Sequence, residues 1–95
     1  MVAKRTQPAD SAWSDYAGEL ATNLRRLRQE AGLSQEDVAY RSGLTRYTYQ
    51  KYEKGESKPG TPANPTIRTL LAMSQALGVS LMDILPAKIP DLRLR

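Results

Sequence analysis

A chain of 95 residues with 40% hydrophobic and 25% charged side chains has the make-up of one small folded domain, because so short a chain encloses only one core. It has no cysteine and no histidine, which excludes disulfides, soft-metal ligand sets, thiol nucleophiles and imidazole bases; with scattered carboxylates and no Gly-rich phosphate loop, neither enzymatic chemistry nor a cofactor is expected. The formal charge of +4 favours an anionic partner such as nucleic acid, and the lack of an apolar run near the ~20 residues of a membrane span points to a cytoplasmic protein.

Residues 1–14, "MVAKRTQPADSAWS", are polar and carry Pro8. They show no helical period and read as an N-terminal tail, with Lys4 and Arg5 either solvated or forming a groove-entering arm. From Asp15 to Ala31 the spacing of Leu20, Leu24, Leu27 and Ala31 sets one apolar stripe along a first helix, which Gly32 ends. Ser34, with Asp37 in the reach-back position, opens a second helix running to about Ser42. Gly43 supplies a turn and Leu44 a buried plug. Thr45 caps a third helix, Arg46 to Lys54, which stops at Gly55.

The next segment, "ESKPGTPANP", holds three prolines and a glycine and reads as loop. Asn64 and Pro65 then start a fourth helix with Ile67, Leu70, Leu71, Ser74 and Leu77 on one face and Gly78 at its end. Ser80 caps a short fifth, "LMDIL", halted by Pro86. Residues 87–95 read as a fraying C-terminal tail. The fold class is therefore all-α, a five-helix bundle occupying 15–86 with a helix-turn-helix at 34–55, an extended loop at 56–64 and a flexible tail at each end. Its expected core is Leu20, Leu24, Leu27, Val38, Ala39, Leu44, Tyr49, Tyr52, Leu70, Leu71, Leu77, Leu81 and Leu85.

Around the third helix, Tyr49, Tyr52 and Glu53 fall on one side, while Tyr47, Gln50, Lys51 and Lys54 follow the i, i+3, i+4, i+7 pattern on the other. One face packs and the other presents. Arg46 stands at the first turn, and from Arg41 to Lys58 five basic residues face two acids. Arginine pairs bidentately with guanine and glutamine with adenine, tyrosine and lysine bond phosphates, and the major groove admits one helix. On a lone helix such a face reads as solvated surface; the helix-glycine-helix unit before it favours DNA.

The stretches "LRRLRQEAGLSQEDVAYRSGLTRYTYQKYEKG" and "LLAMSQALGVSLMDIL" resemble the lambda-repressor-like helix-turn-helix family of phage repressors, Cro proteins and their bacterial relatives, over about residues 20–85. The matching features are Arg28 four residues before Gly32, L-S-Q at 33–35, Gly43, E-x-G at 53–55 and A-L-G-V-S at 76–80. The resemblance implies a sequence-specific regulator of transcription, more often a repressor, binding an inverted repeat in double-stranded DNA as a homodimer.

By position it implies base reading by Arg46, Tyr47, Gln50 and Lys51, and phosphate contacts from Gln35, Thr45, Thr48, Lys54 and Lys58. It also implies an ion pair between Arg28 and Glu53. Periodicity supports that pair, since Arg28 lies about 80° from Leu20 around the first helix, at the border of the apolar stripe. Tyr47 and Tyr49 depart from the smaller residues usual at their positions, and the 55–66 connection is longer than usual. A rival reading keeps the fold but makes the main partner a protein, as in an antitoxin or bridging module. An RNA-binding role would need a sheet of exposed aromatics or a clamp loop, which the sequence lacks.

Overall fold

The computed structural model describes residues 8–93. Five helices and one hairpin follow in the order α1 (Pro8–Glu30), α2 (Gln35–Ser42), α3 (Arg46–Lys54), β1 (Glu56–Lys58), β2 (Thr61–Pro62), α4 (Ile67–Leu77) and α5 (Leu81–Ile84). Among the described residues no helix is long and apolar enough to cross a membrane.

The helical architecture agrees with the expectation, and α2 and α3 have the expected limits because their ends are set by local chemistry. Ser34 Oγ accepts from the Asp37 N–H while the Asp37 carboxylate accepts from the Ser34 N–H, both at 3.0 Å, a reciprocal capping box. Gly43, at φ 74°, closes α2. Its N–H donates to Tyr40 O and that of Leu44 to Ala39 O, so the carbonyls left open at the helix end are satisfied and the chain turns sharply into α3. Thr45 Oγ1 then accepts from the Thr48 N–H at 3.1 Å.

Several expectations are corrected. The helix α1 begins at Pro8, inside the stretch assigned to the tail. Proline costs nothing at a first helical position, and Ala17, 1% exposed, extends the buried stripe toward the N-terminus through a side chain too small to mark it, followed by the half-buried Tyr16 and Trp13. Residues 1–7 and 94–95, including Lys4, Arg5 and the last Leu-Arg pair, lie outside the described residues.

The segment read as loop contains an antiparallel hairpin, with Glu56 opposite Pro62 and Lys58 opposite Thr61. The cap of α4 is Thr66, whose hydroxyl accepts from the Thr69 N–H, while Pro65 is buried against the body instead of entering the helix. Finally, α4 is rotated relative to the expected stripe: Leu70, Met73, Ser74 and Leu77 are buried, whereas Ile67 and Leu71 are 66% and 43% exposed. Both stripes satisfy the helical period, and packing on α2 selects the one containing Met73.

The core joins Leu20, Leu24 and Leu27 of α1 with Val38 and Ala39 of α2, Tyr49 of α3, Leu70, Met73 and Leu77 of α4, and Ile84 of α5. Ile84 takes the central place expected of Leu81 and Leu85; these two, with Leu44 and Tyr52, are only partly buried around it. Ala31 lies in the exposed turn after α1. The Asn23 amide donates to Ile84 O at 2.9 Å, tying the end of α5 to α1.

Candidate nucleic-acid interface

The buried side of α3 carries a carboxylate. Glu53 is 3% exposed, a position that costs several kcal/mol unless the charge is paired and hydrogen-bonded. Arg28 of α1 meets it with Nε 2.5 Å from Oε2 and Nη2 3.2 Å from Oε1. The Tyr49 hydroxyl donates to Oε2 at 2.5 Å, and Gln35 Nε2 donates to Oε1 at 3.0 Å. Arg28 Nη1 also donates to Leu33 O at 3.0 Å, and Arg25 donates through Nη1 to the backbone carbonyl of Glu53. The pairing of Arg28 with Glu53 thus fastens α1 to α3, and Gln35 fastens α2 to α3.

Burial pushes the Glu53 carboxyl up, but the hydrogen bonds from Arg28, Tyr49 and Gln35 overcome it and hold the group below its ordinary value. The bond to Glu53 raises Arg28 further into its charged range. Burial, reinforced by the same carboxylate, raises the Tyr49 hydroxyl. A depressed carboxyl means that the unfolded chain binds the proton first, so the stabilisation is complete above the ordinary carboxylate range and is lost as pH falls through it toward the folded-state value. The denaturation midpoint of the protein is therefore expected to fall between about pH 5 and pH 3 more steeply than that of Glu53→Gln, which starts lower. Parallel declines in equilibrium urea titrations would show that Glu53 contributes nothing to the acid limb.

The network continues outward. Gln50 Nε2 donates to Gln35 Oε1 at 3.0 Å. A carboxylate only accepts, so Gln35 must turn its NH2 toward Glu53 and its carbonyl toward Gln50. Gln50 is left with its carbonyl oxygen and one N–H, an acceptor beside a donor.

On the solvent side of α3, Arg46, Tyr47 and Lys54 are exposed and Lys51 is half-buried. Lys51 Nζ lies 4.5 Å from the centre of the Tyr47 ring, a cation–π contact between neighbours one turn apart. Thr45 Oγ1 donates to Thr48 Oγ1 at 3.0 Å, so both hydroxyls work in the helix cap as well as standing at its start. Lys58 is exposed on the hairpin and, with Tyr47, Gln50, Lys51 and Lys54, lines one open concavity of about 270 Å³.

The structure therefore gathers Arg46, Tyr47, Gln50, Lys51, Lys54 and Lys58 along α3 and its hairpin. It turns the amide of Gln35, expected to point at phosphate, inward to Glu53 and Gln50. Sequence reasoning missed Arg25, although Arg25 and Arg28, three residues apart, share one flank of α1.

The helix-turn-helix domain family matches residues 19–84, nearly the span of the resemblance drawn from the sequence. An uncharacterized HTH-type transcriptional regulator of Sinorhizobium fredii is 40% identical over 65 residues, which is 68% of this chain and 77% of that protein. A prophage-derived uncharacterized HTH-type transcriptional regulator of Bacillus subtilis is 40% identical over 57 residues, 60% of this chain and 47% of the relative, so the match spans about half of that protein. The crystal structure of a restriction-modification controller protein from Aeromonas hydrophila superposes with a TM-score of 0.63 at 29% identity, covering 72% of this chain and 94% of the other. A hypothetical transcription factor from Neisseria gives 0.64 at 27% identity, with 95% and 87% covered.

Proposed function

The chain belongs to the helix-turn-helix domain family of transcriptional regulators, and we propose that it is a cytoplasmic repressor that binds an inverted repeat in double-stranded DNA as a homodimer, with α3 in the major groove. The observation that carries this reading is the face of α3, where Gln50 is oriented by Gln35 and flanked by Arg46, Tyr47 and Lys51. An acceptor beside a donor suits the adenine edge in the major groove, and an exposed arginine suits guanine.

In this reading Arg46, Tyr47, Gln50 and Lys51 read bases, while Thr45, Thr48, Lys54 and Lys58 hold phosphates; Gln35 acts first as the support of Gln50. The exposed Ile67 and Leu71 of α4 and Met82 of α5 supply apolar surface for a second copy. A two-fold dimer presents two α3 helices about 34 to 36 Å apart, one turn of DNA. Occupying a promoter then represses it.

The test is selection of bound sequences from a random DNA pool by the purified protein. The expected product is an inverted repeat bound about 10³-fold or more above scrambled DNA. Absence of enrichment overturns sequence-specific binding and leaves the protein-partner reading. On the selected site, Arg46→Ala is expected to lose about 1 to 3 kcal/mol, concentrated at one base pair, and Lys54→Ala to weaken all sequences alike. Equal losses on selected and scrambled DNA for both variants would remove Arg46 from base reading.

A further inference from the structure

Two parts of the chain that lie outside the helix-turn-helix span of 19–84 come together. The first turns of α1, from Pro8, precede that span, and the segment after α5 follows it. Pro86 is buried, and beyond it the chain runs beside α1. There Asp15, Tyr16 and Glu19 of α1 line an open groove of about 290 Å³ with Lys88, Ile89 and Asp91.

The surroundings of the groove are apolar as well as acidic. The Tyr16 ring stacks on Trp13, with 5.7 Å between centres and 29° between planes. Ile89 and Leu92 are 74% and 47% exposed, and large apolar side chains left in water so close together mark a surface that another body covers. Residues 8–24 hold Asp10, Asp15 and Glu19 and no lysine or arginine, in a chain of formal charge +4. The helix dipole favours an acid in the first turn, where Asp10 stands, but its pull fades beyond that turn. Asp15 and Glu19 come later and are exposed. Asp91 is matched by Arg93 at 2.9 Å, which leaves Lys88 against Asp15 and Glu19.

The groove faces away from α3. Gly55, at the end of α3, comes against Ala17, Gly18 and Ala21, and at about 100° per residue Asp15, Tyr16 and Glu19 fall on the other side of α1.

We propose that this groove docks a basic, amphipathic segment of another protein, its apolar side chains on Tyr16 and Ile89 and its lysines or arginines on Asp15 and Glu19, while α3 keeps its face for DNA. Two other occupants fit less well. DNA is repelled by the same carboxylates, and a second copy in two-fold contact would lay an acidic surface on its like. The groove does not rest on the DNA-binding reading above; only its simultaneous use with DNA does.

The probe is a pool of short random peptides displayed on phage and selected on the full chain. Peptides that bind the variant Asp15→Lys/Glu19→Lys equally well are removed. Both residues are exposed, so the variant keeps its core, and circular dichroism checks this. The expected survivors combine lysine or arginine with leucine, isoleucine or aromatic residues. The strongest, as a synthetic peptide, is expected to shift the emission of Trp13, the only tryptophan, and to bind the variant at least about tenfold more weakly. Glu36→Lys, at an exposed acid of α2, is expected to leave its affinity unchanged, as is saturation with the selected duplex.

If no peptide survives, or the survivors lack basic residues, the groove docks no such segment and the inference falls. Displacement of the peptide by the duplex would put its site on the DNA face and overturn the placement. Sedimentation of the unaltered protein and the variant tests the remaining occupant: a dimer lost or tightened by the charge reversal would give the groove to a second copy and overturn the inference. Failure of the DNA reading shows separately, in the duplex titration without peptide.

Discussion

Arg28→Ala is expected to cost about 3 to 5 kcal/mol of folding free energy, the penalty for leaving a buried carboxylate without its counter-ion. Glu53 is 3% exposed, and after the substitution only the Tyr49 hydroxyl and the Gln35 amide remain to solvate it. Domains of this kind are stable by only about 5 to 15 kcal/mol, so the loss removes a large part of the total. Paired with Glu53→Leu, the same substitution strands no charge, and the double variant is expected to lose less than the sum of the two single losses, although the void left by Arg28→Ala remains. Urea denaturation of the two single variants and the double one decides the matter. Additive losses would mean that the two side chains, though 2.5 Å apart, are not coupled energetically.

Gln35→Met is expected to act on discrimination more than on stability. It replaces an amide of similar length at the first turn of α2, keeps the Arg28–Glu53 pair, and cuts the chain of hydrogen bonds that dictates which way round Gln50 stands. In the intact protein the acceptor-only carboxylate sets the order NH2 to Glu53, carbonyl to Gln50. Without it Gln50 can turn over and oppose acceptor to acceptor on the base. Gln50→Ala is expected to lose about 1 to 3 kcal/mol at one base pair of the selected site. Gln35→Met should flatten preference at that same base pair, reducing it by about tenfold or less, and at no other. The measurement is binding to the selected duplex with each of the four base pairs at that position. Preference unchanged in Gln35→Met, or flattened at an unrelated base pair, would mean that the relay does not govern reading.

The limits of α2 and α3 were legible because each is written in a few adjacent residues: Ser34 with Asp37, Gly43, Thr45, Gly55. The pairing of Arg28 with Glu53 was legible because helical phase puts both on inward flanks. The hairpin was hidden, since strands of three and two residues have no room for an alternating pattern and depend on backbone pairing across Pro59 and Gly60. The rotation of α4 was hidden for another reason: Ile67 and Leu71 fit the helical period as well as Met73 does, and only contact with α2 separates them. The start of α1 was hidden because Pro8 reads as a breaker unless it falls at a first helical position, and because Ala17 continues the buried stripe without apolar bulk. Gln35 faces inward because Glu53 offers it an acceptor, which its own sequence surroundings do not reveal.

The stacking of Lys51 on Tyr47 has an entropic consequence. A free lysine samples many rotamers, and fixing such a side chain at an interface costs roughly 0.5 to 1.5 kcal/mol. Lys51 already lies over its ring in the unbound protein, so part of its disorder is gone before any partner arrives. The middle of α3 meets its target half-frozen, between Arg46 and Lys54 at the helix ends, where exposed side chains keep their freedom.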